Sequence, residues 1–398
     1  MVDNLHMHRD RCAISGIGST DFSRNSGRSA LTLATQASLA AIADAGLEVA
    51  DVDAIVRCDA DTVTPYSLAA ALGLKQLNYW ADTGPGGVAP CMMMGLAVGA
   101  VLSGQAKTVL AFRSLNGRSE VRFGAGVPGS RDEYVGGYGT FDEFYLPYGL
   151  LTAGQVFAMM TRRHMLEYGS TSEQLGEVAL TCRAHANAVP HAQMHDRVLT
   201  MNDYLSARMI SDPLRLFDFC LESDGACAVI ITSAERAKDA PHRPALIRAV
   251  AGGAAPDRRP GMMFPVVTRD EMTDLPGRRA AEELWRRAGL GPSDVSIAQL
   301  YDCFTISVVL QLEAFGFCER GEGAAYAASG AIRRDGRLPI NTAGGHLSEG
   351  YIHGMNHILE AVRQLRGEAD MQIPGAEVAL VTGGPLPVGS SVVLRRAA

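Results

Sequence analysis

The segment Asn341–His357 concentrates side chains that can donate or accept a proton. Its sequence, NTAGGHLSEGYIHGMNH, holds Tyr351, His346, His353 and His357 among glycines, and an apolar pattern with helical spacing follows it. Phenol and imidazole groups can act as general acids and bases, and loops on a rigid scaffold often carry such groups. We therefore predict a catalytic loop that leads into a helix.

Tyr301 is a second candidate, because it follows the apolar stretch 295–300, which is typical of a buried strand. Ligands of α/β proteins bind beyond the carboxyl ends of the strands, and this position would place a phenol group there. The residues alone leave alternatives open. A single tyrosine more often packs with its hydroxyl hydrogen-bonded, and His346, His353 and His357 could equally be structural histidines.

Strand and helix patterns alternate along most of the chain, which predicts an α/β protein. The predicted strands include 12–17, 52–58, 108–112, 245–251 and 295–300. The predicted helices include 30–45, 65–72, 89–102, 154–168, 172–188 and 278–288. Between them, the glycine-rich segment 113–150 carries aromatic residues without a clear period, and we expect either a functional loop or a subunit contact there.

The two halves of the sequence resemble each other, which indicates an internal duplication. The segment 45–58, AGLEVADVDAIVRC, returns as 288–301, AGLGPSDVSIAQLY. In both copies a helix end is followed by Asp-Val and a buried strand. A glycine pair also precedes a helix in each half, at 86–87 and at 344–345.

A chain of 398 residues has room for two or three domain-sized units. The repeat divides it into an N-terminal half, residues 1–240, and a C-terminal half, residues 241–398. A loop region of about 113–220 falls inside the first half. Each half should hold a mostly parallel sheet covered by helices.

Composition argues against several classes of function. The contents of 47% hydrophobic and 20% charged residues are typical of a soluble globular protein. A net charge of −7 without a Lys/Arg-rich run argues against nucleic acid as the main partner. The first residues lack the apolar part of a secretory signal, and no apolar stretch approaches the roughly 20 residues that span a bilayer. We therefore expect a cytoplasmic protein without a membrane contact.

The cysteines and histidines do not predict a metal site. None of the eight cysteines forms a Cys-x-x-Cys pair, so zinc is disfavoured and we expect buried thiols that behave as small apolar residues. His185, His191 and His195 lie close in sequence, but their spacing fits no familiar metal site. We predict that the chain binds no metal ion and no cofactor.

Several motifs together resemble the thiolase superfamily. They are Ser-Asp-Gly-Ala at 223–226, Tyr-Asp-Cys-Phe at 301–304, Asn-Thr-Ala-Gly-Gly at 341–345 and Thr-Gly-Gly-Pro-Leu-Pro-Val-Gly at 382–389. With the duplicated halves they cover essentially the whole chain, and the second motif is similar to the His-Asp-Cys-Phe of sterol-carrier-type thiolases. The resemblance implies a five-layer α-β-α-β-α sandwich built from two βαβαβ halves.

The chain differs from thiolases at the residues that carry their chemistry. Thiolases place a nucleophilic cysteine at the start of the helix that here begins near Val88, and Cys91 falls about one turn later. Their second cysteine has no counterpart in the segment 380–384, and their Gly-His-Pro is replaced by Gly-Tyr-Ile at 350–352. Without a cysteine nucleophile, covalent acyl transfer is hard to perform.

These differences resemble the lipid-transfer-protein-like aldolases of bacterial steroid side-chain degradation, which carry tyrosines at both positions. The resemblance implies a retro-aldol cleavage of a tertiary β-hydroxyacyl-CoA, such as a 17-hydroxy C22 steroid thioester, to a 17-ketosteroid and propionyl-CoA. CoA would enter only as part of the substrate. The resemblance also implies a homodimer and a separate OB-fold and zinc-ribbon subunit, which together would form a heterotetramer.

Retro-aldol cleavage needs a base for the β-hydroxyl, an oxyanion hole for the thioester enolate, and an acid that protonates the enolate. We expect Tyr351 to act as the base and Tyr301 to protonate or steady the enolate, with His353 and His357 assisting. Ionising a free tyrosine near neutral pH costs about 4 kcal/mol. The base therefore needs a lowered pKa, or it must pass its proton on in concert with cleavage.

Four further residues are candidates for binding the substrate. Backbone N–H groups of Gly383 and Gly384 could form the oxyanion hole, and Asp302 and His346 are expected to contact the substrate.

Two other functions compete with this hypothesis. One is a thiolase or acyl-CoA acyltransferase that uses Cys91 or Cys303 as its nucleophile. The other is a carrier that binds an acyl-CoA or a sterol and catalyses nothing.

Overall fold

Strands from both halves of the sequence join into one mixed sheet. The structure is a computed structural model that describes residues 8–84, 86–120, 122, 146–254, 271–275, 277–384 and 388–398. Within these ranges the strands are β1 (Cys12–Ser19), β2 (Ala54–Cys58), β3 (Tyr79–Thr83), β4 (Thr108–Asn116), β5 (Met209–Ser211), β6 (Leu214–Arg215), β7 (Asp224–Ser233), β8 (Ala245–Ala254), β9 (Ile297–Gln299), β10 (Val378–Gly383) and β11 (Val388–Arg396). Among the described strands, nine form a sheet in the order β3-β2-β4-β7-β1-β8-β11-β10-β9, and β5 pairs with β6.

The strand order repeats on the two sides of the β1–β8 junction. Outward from this junction, one side runs β1, β7, β4, β2 and β3, and the other runs β8, β11, β10 and β9. Where the first half has β3, the second half has Ile340, which forms a parallel bridge with Ala298 of β9. This order agrees with the duplication inferred from the sequence. A domain division at about residue 240, between β7 and β8, stays a prediction.

The prediction of mostly parallel sheets is wrong, because each half is mixed. β2 runs parallel to β3 and β4, and β9 runs parallel to β10. By contrast, β7 and β11 run antiparallel to both of their neighbours. In the second half the reason is the short connection from Gly383 to Val388, since a parallel pair would need a much longer crossover.

Helices cover the outer faces of the sheet and fill the space between its two halves. In the described ranges they are α1 (Ala30–Asp44), α2 (Pro65–Leu72), α3 (Ala89–Leu102), α4 (Ala153–Tyr168), α5 (Ser172–Asn187), α6 (Met201–Ser206), α7 (Gly277–Ala288), α8 (Thr305–Ala314), α9 (Gly323–Ala328), α10 (Gly345–Ser348) and α11 (Met355–Arg366). α3 and α11 pack against strands of both halves, whereas α1 packs on β1, β4 and β7, and α7 packs on β8 and β11. The layers are therefore α-β-α-β-α, as the resemblance to thiolases predicts.

Separate apolar clusters lie between these layers. The central cluster buries Met93 and Met94 of α3 among inward-facing residues of both sheet halves, such as Val109. The next residue of β4, Leu110, points to the outer cluster under α1, because successive side chains of a strand alternate between its faces. Met93 and Met94 are therefore core residues, a common role of methionine.

Capping residues that can be recognised in the sequence mark the ends of several helices. Some other elements have no such signal and were not predicted. Thr152 and Thr171 begin α4 and α5 with capping boxes, and Gly169 ends α4 at a φ of +73°. β9 is shorter than the predicted strand 295–300, and β3 and α8 were not predicted.

The aromatic segment 113–150 is divided by the structure. Arg113–Asn116 extend β4 beyond the predicted strand end, whereas 123–145 lie outside the described residues, so the predicted functional or subunit-contact loop stays a prediction. No helix in the described ranges is long and apolar enough to cross a membrane.

Candidate active site

Tyr301 and Tyr351 meet beyond the end of β9. Tyr301 follows that strand, and Tyr351 lies in the loop between α10 and α11. Their hydroxyl oxygens are 2.8 Å apart, in a hydrogen bond in which either group could donate, and the two rings cross at 71°. Tyr301 is 4% exposed and Tyr351 is half-buried. The structure thus brings the two candidate phenols together, and their catalytic roles stay a prediction.

The backbone of Tyr301 is fixed from both sides by a buried hydrogen-bonded ring. Its N–H donates to Thr382 Oγ1 at 2.9 Å, and its carbonyl accepts from Gln311 Nε2 at 2.8 Å. Thr382 Oγ1 donates in turn to Gln311 Oε1 at 2.5 Å. Because Gln311 belongs to α8 and Thr382 to β10, two elements determine where this phenol lies.

The loop that carries Tyr351 is fixed by polar contacts as well. The Tyr351 N–H donates to Ser223 Oγ at 3.0 Å, within the Ser-Asp-Gly-Ala motif. Asn356 Nδ2 donates to the Gly350 carbonyl at 3.2 Å and to Glu349 Oε2 at 2.8 Å. Motifs that are far apart in the sequence therefore converge on one tyrosine.

Asp302 is fully buried and organises two histidines beside the tyrosine pair. Its carboxylate accepts the N–H groups of His346 and Leu347 at 2.9 and 3.1 Å, at the start of α10. His357 Nε2 lies 3.1 Å from its Oδ1, and His346 Nδ1 lies 3.3 Å from the same oxygen. The ring centroid of His346 is 4.7 and 4.8 Å from those of the two tyrosines. These contacts favour a positioning role for Asp302, and the substrate contacts expected of Asp302 and His346 stay predictions.

Burial controls the ionisation of these groups. It raises the pKa of Tyr301 and of Tyr351 well above the usual range of a phenol. It lowers the pKa of His346 well below its ordinary value, and His357 adds to this effect. Burial would raise the pKa of Asp302, but the adjacent imidazoles and the peptide N–H groups outweigh it, so this pKa is lowered. At neutral pH the site therefore holds a carboxylate, a neutral His346 and two protonated phenols.

The side chains of Asp302, His346 and His357 are also close enough together to hold a metal ion. Asp302, His346 and His357 each offer one ligand atom, and these atoms lie within 4.8 Å of one another. Both oxygens of Asp302, however, already accept peptide N–H groups, and one of them also lies at hydrogen-bond distance from His357. By contrast, the ring nitrogens of His346 and His357 make no hydrogen bond to any described residue, and a chain without a metal ion stays a prediction.

His353 contacts Arg113, which the sequence analysis did not identify as a site residue and which is itself paired with Asp61. Arg113, a residue within β4, places Nη1 2.6 Å from Oδ1 of Asp61, and both side chains are fully buried. The other terminal nitrogen of Arg113 contacts His353 Nδ1. The His353 ring stands at 87° to that of Tyr351, with centroids 4.9 Å apart. A charged residue directly after the apolar run 109–112 was the signal that could have indicated Arg113.

Glycines form the wall next to Tyr301. A Cβ added to Gly87 would lie 2.2 Å from the Tyr301 hydroxyl oxygen, so the phenol occupies the space of a side chain at this position. A Cβ on Gly383 would lie 2.7 Å from the Gly87 carbonyl oxygen, and one on Gly384 would lie 2.8 Å from Val88 Cγ2. The start of α3, the predicted oxyanion loop and the tyrosine pair are therefore neighbours. The oxyanion role of the glycines stays a prediction.

Comparison with known proteins assigns the chain to a family. The thiolase C-terminal domain-like family model matches residues 264–396. A steroid side-chain-cleaving aldolase of Thermomonospora curvata is 45% identical over 96% of this chain and 97% of its own length. The chain belongs to the steroid side-chain-cleaving aldolases of the thiolase superfamily.

Two further members of this group agree with the assignment. The 17-hydroxy-3-oxo-4-pregnene-20-carboxyl-CoA lyase of Mycobacterium tuberculosis is 43% identical to the present chain, over 96% of this chain and 99% of the lyase. The solved structure of the Ltp2-ChsH2(DUF35) aldolase superimposes with a TM-score of 0.90 at 43% identity, and 98% of each chain is covered.

The cysteines offered by the thiolase alternative are poorly suited to be nucleophiles in this aldolase. Cys91 is fully buried, its thiol donates to the Val381 carbonyl at 3.6 Å, and burial raises its pKa to about 12. Burial also raises the pKa of Cys303, whose Sγ lies 3.8 Å from Ser307 Oγ. A thiolate nucleophile requires the opposite shift.

We expect iodoacetamide to leave the activity of the aldolase within about twofold, because thiols with raised pKa values hold little of the reactive thiolate. Cys91→Ser should likewise retain activity, since its hydroxyl can still donate to Val381. The measurement is the rate of ketone release after alkylation, with a cysteine-dependent thiolase as the positive control. Complete inactivation by the reagent together with an inactive Cys91→Ser variant would favour the acyltransferase.

A buried histidine in contact with Ile340, the residue before the segment Asn341–His357, should make folding sensitive to pH. His185 Nδ1 contacts the Ile340 carbonyl at 2.9 Å, and burial lowers its pKa from 6.5 to about 4. The unfolded chain therefore binds this proton first, so the free energy of unfolding falls as the pH drops from 6.5 to about 4. The shift corresponds to about 3 kcal/mol, at ~1.36 kcal/mol per pKa unit.

Urea unfolding of the wild type and of His185→Asn over this pH range measures the effect. The asparagine amide can keep the bond to Ile340, but it does not titrate. The wild type should lose more stability than the variant as the pH falls, and equal losses would contradict a buried neutral His185.

Proposed function

We propose that this chain is the catalytic subunit of a retro-aldolase that cleaves a steroid side-chain CoA thioester. The substrate would be a tertiary β-hydroxyacyl-CoA such as the 17-hydroxy C22 steroid thioester, and the products would be a 17-ketosteroid and propionyl-CoA. The observation that carries the proposal is the pair of phenol groups, with hydroxyls 2.8 Å apart, in a chain 43% identical to a steroid carboxyl-CoA lyase.

The reaction balances without a cofactor. The β-hydroxyl loses its proton and becomes a ketone, while the bond between the α- and β-carbons breaks. The electron pair of that bond forms the thioester enolate, which takes up a proton at the α-carbon and becomes propionyl-CoA. One proton is therefore released and one is consumed in each turnover, so a pair of groups that exchange a proton can serve both steps.

The raised pKa values of the phenols favour a concerted transfer. Tyr351 would accept the proton of the substrate hydroxyl while it donates its own to Tyr301, and Tyr301 would donate its proton to the α-carbon. The hydrogen bond between the two tyrosines provides the path. A preformed tyrosinate, the other option considered from the sequence, is disfavoured because burial adds to the cost of ionisation.

The surroundings of each tyrosine support this order of transfer. Tyr351 is half-buried, so it can meet the hydroxyl of an entering substrate. Tyr301 lies against Gly87, next to Gly383 and Gly384, whose N–H groups would stabilise the enolate oxygen. His353 would assist Tyr351 from its side, and His357 would act through Asp302.

The assembly is also part of the proposal. We propose a homodimer of this chain that joins a separate OB-fold and zinc-ribbon subunit in a heterotetramer, with any zinc held by that subunit. The name of the similar solved structure, the Ltp2-ChsH2(DUF35) aldolase, includes a second component, which supports a two-component enzyme. A cytoplasmic location stays a prediction.

The test is incubation with the 17-hydroxy steroid thioester, with and without the co-purified small subunit, followed by mass analysis of both products. We expect stoichiometric 17-ketosteroid and propionyl-CoA. Bound but unchanged thioester would identify a carrier. Acyl exchange with free CoA and no ketone would identify an acyltransferase.

A further inference from the structure

A line of buried polar side chains leads from the first half of the sheet to the catalytic loop. Arg113 is fully buried, and its ion pair with Asp61, at 2.6 Å, is buried as well. A buried arginine is rare unless a partner compensates its charge. Here one end of the guanidinium meets Asp61 and the other meets His353, so the arginine links a carboxylate in the loop after β2 to the loop that carries Tyr351.

The contact with Arg113 determines which tautomer His353 adopts. A guanidinium has only donors, so His353 Nδ1 must accept its hydrogen bond. The proton of the neutral imidazole therefore lies on Nε2. A second proton on Nδ1 would remove the hydrogen bond and place two positive charges in contact, so the arginine also disfavours the imidazolium form.

The backbone of His353 is held in an unfavourable conformation to make this contact. Its φ is +51°, in the left-handed region that residues with a Cβ rarely adopt. Its ring passes Gly86, where an added Cβ would lie 3.5 Å from Cε1. Strain of this kind persists where surrounding contacts impose it, and it concentrates at functional sites.

We infer that Arg113 is a positioning residue of the aldolase: it holds His353 as the Nε2–H tautomer against Tyr351 and places a permanent positive charge beside the phenol pair. The inference rests on the proposed function for its effect on catalysis. Its structural part, the tautomer of His353, can be measured without any substrate.

Electrostatics of the neighbouring groups support the inference. Burial would lower the pKa of Arg113, but Asp61, and to a smaller extent Cys58 and Tyr351, outweigh it, so the guanidinium remains charged. Burial raises the pKa of Tyr301, and the charge of Arg113 offsets part of that rise. The cation therefore favours the negative charge that develops on the phenols during proton transfer.

The first test uses the wild-type protein with its histidines labelled with 15N. The spectrum at neutral pH, with the His353 signals assigned by comparison with His353→Asn, should show Nε2 protonated and Nδ1 unprotonated. Asparagine suits this position, because it tolerates a positive φ better than most residues. A proton on Nδ1, in the neutral or the cationic ring, would overturn the inference whether or not the chain cleaves a steroid thioester.

The second test compares Arg113→Met and Arg113→Lys with Arg366→Met in the complete two-subunit enzyme. Arg366 is a matched control, because it is a buried arginine paired with Asp44 at 2.9 Å, on α11. Arg113→Met should lower kcat at least about tenfold and leave KM within about threefold, since a fully buried residue acts on the transition state and not on substrate binding. Arg113→Lys, which keeps the charge but cannot span both partners, should fall between that variant and the wild type.

The control and the double variant separate positioning from general destabilisation. Arg366→Met should lower the melting temperature and keep kcat. Arg113→Met combined with His353→Asn should lose less activity than the product of the two single losses, since the residues act through one contact. Two results would overturn the inference. One is a wild-type kcat in folded Arg113→Lys or Arg113→Met. The other is a loss of kcat in the double variant that equals the product of the losses in the two single variants.

Discussion

Replacement of Tyr301 or Tyr351 by phenylalanine should lower kcat by about 10²–10⁴-fold, the usual contribution of a general acid or base. Phenylalanine keeps the packing of Tyr301 and Tyr351 but removes the hydroxyls that lie 2.8 Å apart. Because one proton would pass through both groups in turn, loss of either hydroxyl interrupts the same transfer. The double variant should therefore be little slower than the slower single variant. The measurement is single-turnover release of the 17-ketosteroid.

Tyr204→Phe provides the matched control. Tyr204 is also buried, and its hydroxyl donates to Asp218 at 2.7 Å, at a place where the sequence predicts no chemistry. Loss of this bond to an acidic residue should lower the free energy of unfolding by about 1.5–3 kcal/mol and leave kcat unchanged. If Tyr301→Phe and Tyr351→Phe kept wild-type rates while Tyr204→Phe behaved as expected, the phenols would have no part in the chemistry.

The sequence predicts an α/β fold and the loop that carries Tyr351 because both depend on local patterns, whereas the five layers are predicted only by the resemblance to thiolases. The segment 45–58 and its repeat at 288–301 indicate two related halves, and the glycines around Tyr351 identify a loop without reference to any other part of the chain. The directions of β7 and β11 were missed. Apolar residues in a buried strand mark its existence but not which neighbour it pairs with or in which direction.

The sequence analysis also missed site residues whose roles depend on contacts between positions that are far apart in the chain. Arg113 was assigned to a loop, because the apolar pattern of β4 stops at Phe112 and a single arginine usually ends a buried strand. Its partner Asp61 follows β2 in an unremarkable turn. Only their 2.6 Å approach in the folded chain shows that two buried charges compensate each other. Likewise, nothing near Thr382 predicts that its hydroxyl fixes the backbone of Tyr301.

Gly87→Ala should lower kcat by about 10²-fold, although it adds a single methyl group at a position with an ordinary φ, because a displacement of about 1 Å at a reacting group has an effect of this size. The added Cβ would lie 2.2 Å from the Tyr301 hydroxyl oxygen and 2.4 Å from Cζ. The rigid phenol cannot bend away, and its backbone is held by Thr382 and Gln311. The ring must therefore shift and lengthen its hydrogen bond to Tyr351.

Gly99→Ala is the matched control, since an added Cβ there meets nothing within 4 Å in the described structure. It should keep kcat and raise the free energy of unfolding by up to about 1 kcal/mol, as expected for alanine in a helix. In a Tyr301→Phe background, Gly87→Ala should add little further loss, because the hydroxyl that it displaces is already absent. A wild-type kcat in Gly87→Ala would mean that a displacement of Tyr301 does not slow the reaction. The close approach of residue 87 to the phenol pair would then not affect the rate. A loss that persists undiminished in the Tyr301→Phe background would instead show that the effect does not act through the Tyr301 hydroxyl.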